Sequence, residues 1–279
     1  MIVNDSYNII ETADGSFSLY SKEFDQLMHA REGAYTEALS KHVFPSKILC
    51  STDKVINILD IGFGAGYNPL ALIMQTRDKQ FEEINIYSLE FSKESYSSIS
   101  KIRFDDEKDI YFDKIREGFL NDKISFENVN INYMFGDARE SIKNLSERKI
   151  YFDAVFHDPF SPAKNSELWT VDLFKVIGSI IKDKTFLTTY SSALQIRRGM
   201  IEAGFFIGDL VCDNLPKTGT IASKAPFDGS FDKKKMDEIF KEILSVPYRD
   251  ENLSLSRDKI SENRIEERRQ LKIQNKSSS

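Results

Sequence analysis

The chain has 279 residues, of which 41% are hydrophobic and 29% charged, with a formal net charge of -6. That length and apolar content suit one large α/β domain with small additions and exclude a disordered protein. The acidic balance excludes a generic polyanion binder, although a local basic cluster can still act, because charges more than about 8 to 10 Å apart are screened. No apolar run of about 18 residues could span a membrane, and the first ten residues lack a basic region followed by an apolar stretch. A cytoplasmic protein is expected.

Cys50 and Cys212 lie far apart, and His29, His42 and His157 are scattered. Neither set has metal-ligand spacing, so no disulfide framework and no metal site is expected.

Residues 7–20 (YNIIETADGSFSLY) alternate apolar and polar residues around Asp14-Gly15, which predicts a hairpin with a two-residue turn. Residues 33–44 (GAYTEALSKHVF) read as a short helix stopped by Pro45. Together they suggest a lid over a cofactor pocket.

The chain is organised around residues 58–68, ILDIGFGAGYN, where a β-branched run meets alternate glycines Gly62, Gly64 and Gly66 before a helical segment. Glycines there let the backbone pass beneath a bound nucleotide-like ligand. The dinucleotide fingerprint needs its last glycine three positions after the second, where this chain has Tyr67. The next strand, 84–90 (INIYSLE), ends in an acid, Glu90, but later than the position about 20 residues on where that fingerprint has its carboxylate. Alternate glycines with a carboxylate ending the second strand resemble the S-adenosylmethionine loop of class I methyltransferases. A tight turn without a ligand is the other reading of the glycines.

Residues 91–128 read as two helices inserted before the third strand, 131–135. Gly136-Asp137-Ala138 follows at once, and Asp137 could bond an adenine amino group or simply cap the next helix. The strand 151–157 (YFDAVFH) runs into Asp158-Pro159-Phe160-Ser161-Pro162-Ala163-Lys164-Asn165, the densest polar cluster in the chain. Ligands of doubly wound sheets sit beyond the carboxyl ends of the strands, so this loop should lie beside the glycine loop, stiffened by its prolines. A helix over 170–181, a strand over 185–190, a helix containing Arg197-Arg198, and short strands over 205–211 and 219–223, joined by a turn with Pro216 and Lys217, complete seven strands. The divisions expected are 1–50 for hairpin and lid helix, 51–226 for the core and 227–279 for a C-terminal helical extension. The segment 257–276 mixes both charge signs and reads as a solvated helix or an RNA-contacting tail.

The stretches 19–44, 58–68, FGDA at 135–138, DAVFHDPFSPAKNSELWTVDLF at 153–174 and TFLTTYSSALQIRRGMIEAGF at 185–205 resemble the tRNA 5-aminomethyluridine methyltransferases. These form the methyltransferase half of the bifunctional MnmC enzymes, and the similarity is greatest to stand-alone relatives without the flavin oxidoreductase half. Two departures stand out: Pro159 replaces a common glycine, and KTGTIAS at 217–223 replaces a basic segment.

The resemblance implies a Rossmann-like, mostly parallel seven-stranded sheet with helices on both faces. It also implies S-adenosylmethionine as cofactor and methylation of the amine of 5-aminomethyluridine, or its 2-thio form, at the tRNA wobble position. Tyr20 and Glu37 would lie near the methionine part, with Gly62, Phe63, Gly64, Gly66, Glu90, Asp137, Ala138 and Asp158 completing the cofactor site. Asp158 would orient the acceptor amine. Phe160 is the first candidate to stack on the base in an anticodon loop. Tyr190 and Trp169 are platform or core. Lys164, Arg197 and Arg198 are phosphate contacts or plain surface charges. A separate enzyme would generate the aminomethyl group. Rival readings are a spermidine-synthase-like aminopropyltransferase, an adenine-N6 methyltransferase, and a non-catalytic cofactor-binding subunit on tRNA.

Overall fold

The computed structural model describes residues 6–211 and 219–277; Cys212, Pro216 and Lys217 lie outside them. The chain opens with a small antiparallel sheet of β1 (Tyr7–Glu11), β2 (Phe17–Ser21) and β3 (Gln26–Leu27). The hairpin is present, but its connection spans residues 12–16 rather than two residues. Asp14 explains the longer loop: its carboxylate accepts hydrogen bonds from Thr12, Ser16 and the backbone N–H of Thr36. Burial opposes its ionisation, yet the bonds from Ser16 and Thr36 hold its pKa down at about 2. One acid thereby ties the hairpin to α1 (Ala34–Ala38), which runs into a π turn at Leu39–Val43.

The main sheet has eight strands in the order β10-β11-β9-β8-β4-β5-β7-β6. Its parallel centre comprises β4 (Val55–Ile61), β5 (Glu83–Glu90), β7 (Val129–Phe135), β8 (Phe152–His157) and β9 (Ile181–Thr189). Antiparallel β11 (Gly219–Ser223) pairs with β9, and β10 (Phe206–Leu210) completes that edge. The other edge holds the strand beyond the expected seven, β6 (Lys123–Phe126). It forms a hairpin with β7 in which Phe126 faces Val129. The turn puts Glu127 at a φ of 50° without a glycine to announce it.

Parallel strands need crossovers, and the helices supply them on both faces. α2 (Tyr67–Thr76) and α4 (Lys108–Asn121) cover one face, preceded by the short α3 (Tyr96–Ile99). α5 (Ala138–Glu147), α6 (Val171–Ser179) and α7 (Leu194–Glu202) cover the other. Alternation along β4 feeds both cores: Ile56 and Ile58 join the first, Leu59 and Ile61 the second. The register is level at the carboxyl edge, with Ile61 opposite Leu89 and His157, and Glu90 opposite Phe135. Gly62, Glu90, Gly136 and Asp158 therefore stand side by side.

Beyond β11 come α8 (Lys233–Lys241) and α9 (Arg257–Ser277). The chain between them and the first turn of α9 dock on the second face, with Tyr248, Leu253 and Ile260 in its core. Asp250 is fully buried and accepts from Arg139 Nη1 at 2.7 Å and from the backbone N–H groups of Ser254 and Leu255. Removing one partner of a buried ion pair leaves the other charge uncompensated. Asp250→Ala is expected to cost about 3 kcal/mol of folding stability in urea denaturation, with earlier proteolysis near residue 250; an unchanged midpoint would show that the pair contributes nothing.

Candidate active site

A cavity of about 500 Å³ opens at the carboxyl ends of β4, β5, β7 and β8, roofed by residues 23–30 and Glu37. That is the size of a small-molecule site. Its floor is set by two loops in contact. Gly62 has a φ of 87°, and a Cβ there would lie 2.6 Å from the carbonyl oxygen of Asp158. The Asp158 N–H in turn donates to the Ile61 carbonyl at 2.9 Å. Only glycine tolerates both the conformation and the approach.

Glu90 ends β5 with each carboxylate oxygen accepting a backbone N–H, Oε2 from Gly64 at 3.1 Å and Oε1 from Phe91 at 2.7 Å. Each oxygen keeps lone-pair capacity for a ligand hydroxyl. Burial pushes its pKa up against those bonds. Asp137 caps α5 by accepting from the Arg139 N–H at 2.9 Å, and it also lines the cavity. Burial raises its pKa, but the bonds from Arg139 prevail and lower it. Gly136 lines the cavity at a φ of 113°, and a Cβ there would meet no atom within 4 Å. Any side chain at 136 would enter the cavity.

Asp158 sits over a polar network that individual motifs did not disclose. Its Oδ2 accepts from Asn68 Nδ2 at 3.2 Å, and the same Asn68 nitrogen reaches Asp60 Oδ1 at 3.3 Å. His42 Nε2 lies 3.5 Å from Asp158 Oδ2, and its Nδ1 is 3.0 Å from the Thr188 hydroxyl. The Thr188 hydroxyl also lies 3.4 Å from the Val155 carbonyl, so the tautomer that puts the ring hydrogen on Nε2, facing the carboxylate, is the one in which that hydroxyl turns from Val155 to Nδ1. The π turn carries His42 to this position, one of the sites where such widened turns concentrate. Asp60 is fully buried, and burial pushes its pKa up to about 7 despite bonds from Ser88 and Asn68. Glu37 is raised by burial and by Asp158; its carboxylate accepts from the Ala30 N–H at 2.6 Å. His29 is lowered by burial, and its Nδ1 has no partner among the described residues.

The structure brings Glu37, Gly62, Gly64, Glu90, Asp137, Ala138, Asp158, Phe160 and Tyr190 to the cavity. It does not bring the others there. Tyr20 bonds Asp25 through its hydroxyl. Phe63 is buried and stacks on Phe119 at 4.7 Å. Gly66 serves the turn, as the N-cap of α2 in the left-handed region. Lys164 lies in the turn after Pro162, outside the cavity wall. Arg197 is buried, bonding Thr220, the Gly219 carbonyl and Asp209. Arg198 pairs with Glu202 at 2.7 Å. Trp169 is core, its indole donating to the Phe160 carbonyl. The sequence reading missed Phe24, His29, His42, Asn68, Asp60 and Arg257. Phe24, His29 and His42 fall within the resembling stretch 19–44, and Asn68 follows the glycine loop directly. Among the described residues, no cluster of three or more His, Cys, Asp or Glu could hold a metal ion, and no helix is long and apolar enough to cross a membrane.

A profile of the S-adenosyl-L-methionine-dependent methyltransferase family matches residues 108–211. The solved structure of MnmC2 from Aquifex aeolicus superimposes with a TM-score of 0.84 at 30% identity, covering 95% of this chain and 85% of that one. An uncharacterized protein of Methanocaldococcus jannaschii is 33% identical, over 97% of this chain and 75% of its own length. The tRNA 5-methylaminomethyl-2-thiouridine biosynthesis bifunctional protein MnmC of Burkholderia vietnamiensis is 26% identical over 67% of this chain, which spans 31% of that protein. Fold and cavity thus define a class I methyltransferase with S-adenosylmethionine as its cofactor. Within that class, the chain belongs to the MnmC-like methyltransferase family. The cavity suits the cofactor: Gly136 leaves room, Glu90 has free acceptor capacity, and His29 Nδ1 awaits a partner.

The raised pKa of Asp60 has a definite consequence. An acid whose folded pKa exceeds its unfolded value of about 3.9 binds more protons when folded, so stability falls as pH rises from that value toward about 7. Asp60→Asn should flatten the decline in urea midpoint between pH 4.5 and 7.5 relative to wild type; parallel profiles would assign the buried charge elsewhere.

Proposed function

We propose that this protein transfers the methyl group of S-adenosylmethionine to the primary amine of 5-aminomethyluridine, or its 2-thio form, at the wobble position of a tRNA anticodon. The observation that carries the reading is the contact between glycine loop and Asp158 loop, which fixes a carboxylate and an aromatic ring in the same cavity as Glu90 and Asp137. The part MnmC relatives play in tRNA 5-methylaminomethyl-2-thiouridine biosynthesis supports the substrate class.

Glu90 would hold the ribose hydroxyls, Asp137 and Ala138 the adenine side, and Gly62, Gly64, Glu37 and His29 the methionine part. Bound S-adenosylmethionine supplies an electrophilic methyl group. The acceptor must present a neutral amine, because an alkylammonium has no free lone pair. Seven carboxylates line the cavity, Asp158 and Glu37 among them, against one arginine among the described residues. That field attracts cations and favours the ammonium, so a local acceptor for its proton is needed. Both contacts to Asp158 fall on Oδ2, from Asn68 and His42, which leaves Oδ1 to accept from the amine, align its lone pair and stabilise charge on the product. His42 and Asn68 position that carboxylate. A wobble base is single-stranded and can be turned out of its loop into such a cavity.

The test is transfer of labelled methyl to tRNA from cells lacking the protein, followed by nucleoside mass analysis. Label on 5-methylaminomethyluridine or its 2-thio form is expected; label on another nucleoside would overturn the substrate, and label on a polyamine the reaction. Asp158→Ala should lower kcat about 100-fold or more with little change in cofactor Kd, whereas Glu90→Ala should weaken the cofactor roughly 10-fold or more. Equal effects of both substitutions on both quantities would exchange or merge these roles.

A further inference from the structure

At the acceptor end of the cavity, two rings from distant parts of the chain lie face to face. Phe24, between β2 and β3, stacks on Phe160 with ring centroids 4.3 Å apart and planes inclined by 18°. Both line the cavity. Their anchoring is unequal. The Phe160 segment is fixed on three sides: Trp169 donates to the Phe160 carbonyl at 2.9 Å, Tyr190 to the Pro159 carbonyl at 2.9 Å, and the Ser161 N–H to the Gln26 side chain at 3.3 Å. Phe24 rides a tight turn in which Asp25 has a φ of 48° and the Phe24 N–H reaches the Ser21 hydroxyl at 3.3 Å.

A third element bears on the turn-borne ring. The Arg257 guanidinium, at the start of α9, stands 5.0 Å from the Phe24 centroid. It is not free to wander, because Nε and Nη2 fork onto the Glu167 carboxylate at 2.8 to 3.1 Å, and Asn165 steadies Glu167 at 2.7 Å. A cation over a ring face attracts it, so Arg257 sets where Phe24 rests.

The two apolar faces cover one another at the cavity. A flat heterocycle between them needs about 3.5 Å on each side, roughly 7 Å in all, so one ring must retreat. The bonds that pin Phe160 and the turn that carries Phe24 decide which. The exchange is balanced, since each ring trades an aromatic neighbour for a base face, and stacking accepts any base. Phe160 and Asp158 line the same cavity two residues apart, so a base held between the rings lies in the cavity that holds that carboxylate.

We propose that Phe24 and Phe160 form an aromatic clamp for the acceptor pyrimidine, with Phe24 as the moving jaw and Arg257 as its positioning residue. The proposal rests on the tRNA methyltransferase reading above. It gives the C-terminal helix a place in substrate binding.

The experiment measures tRNA methylation kinetics and, separately, S-adenosylmethionine affinity by calorimetry for wild type, Phe24→Ala, Phe24→Tyr, Arg257→Met and Arg257→Lys. Phe24→Ala should raise the KM for tRNA roughly 10-fold or more, with cofactor Kd within about twofold of wild type. Phe24→Tyr, which keeps a flat ring, should recover most of that loss. Arg257→Met should raise KM by a smaller factor, and Arg257→Lys should restore part of it, because a cation remains over Phe24. A wild-type protein that labels the wobble uridine while Phe24→Ala keeps its KM would overturn the clamp alone. Cofactor affinity falling in step with tRNA affinity would place Phe24 in the cofactor half, with the same result. A wild-type protein that leaves tRNA unlabelled would overturn both readings.

Discussion

The close approach of two loop backbones, at Gly62 and at Asp158-Pro159, is the constraint from which the rest of the cavity follows. It exists because β4 and β8 are parallel neighbours whose ends are level, so the chain leaving one strand meets the chain leaving the other. A glycine accommodates the contact, and the Asp158 N–H closes it with a bond to Ile61. On the other flank, Glu90 ties down Gly64 from the end of β5. The glycine loop is therefore clasped between two acid-bearing loops, and the relation of Glu90 to Asp158 is a property of the sheet edge rather than of flexible segments. Positions set by rigid elements are those that chemistry needs fixed to a fraction of an ångström.

The same edge gathers ionisable groups into a poorly hydrated space. Burial moves Asp60, Glu37 and Glu90 upward and His29 and His157 downward, in every case toward the uncharged form. The fold bears a stability cost here, since groups that prefer water have been withdrawn from it. A cationic ligand changes that balance, because its charge favours the ionised carboxylates around it. The cofactor fits this description with its sulfonium, and so does the proposed acceptor, an amine that ends as an ammonium.

The strand, loop and helix start around residues 58–68 were legible because a β-branched run, alternate glycines and a helical segment coincide there, each demanding the same geometry. Asp137 was legible as a choice between two roles, and the structure shows that helix capping and a place in the cavity wall are compatible. What escaped has physical reasons. β6 turns through Glu127 without glycine, and the π turn that delivers His42 leaves no mark on an ordinary helical pattern. Arg197 and Arg198 read as phosphate contacts or plain surface charges, but adjacent residues on a helix do not share a face; one is consumed by the sheet edge and the other by Glu202. Phe24 and Arg257 reach the cavity through contacts that neither composition nor local spacing encodes, Arg257 meeting a partner 90 positions away.

Arg139 holds Asp137 with Nε and Nη2 and Asp250 with Nη1. One guanidinium is thus divided between the cavity wall and the anchor of the C-terminal chain. Charge withdrawn from either carboxylate changes what the other receives, so the two sites are not independent in free energy. Loss of the Asp250 carboxylate leaves the Arg139 guanidinium to Asp137 and the Leu255 carbonyl, and loss of the Asp137 carboxylate leaves it wholly to the C-terminal chain.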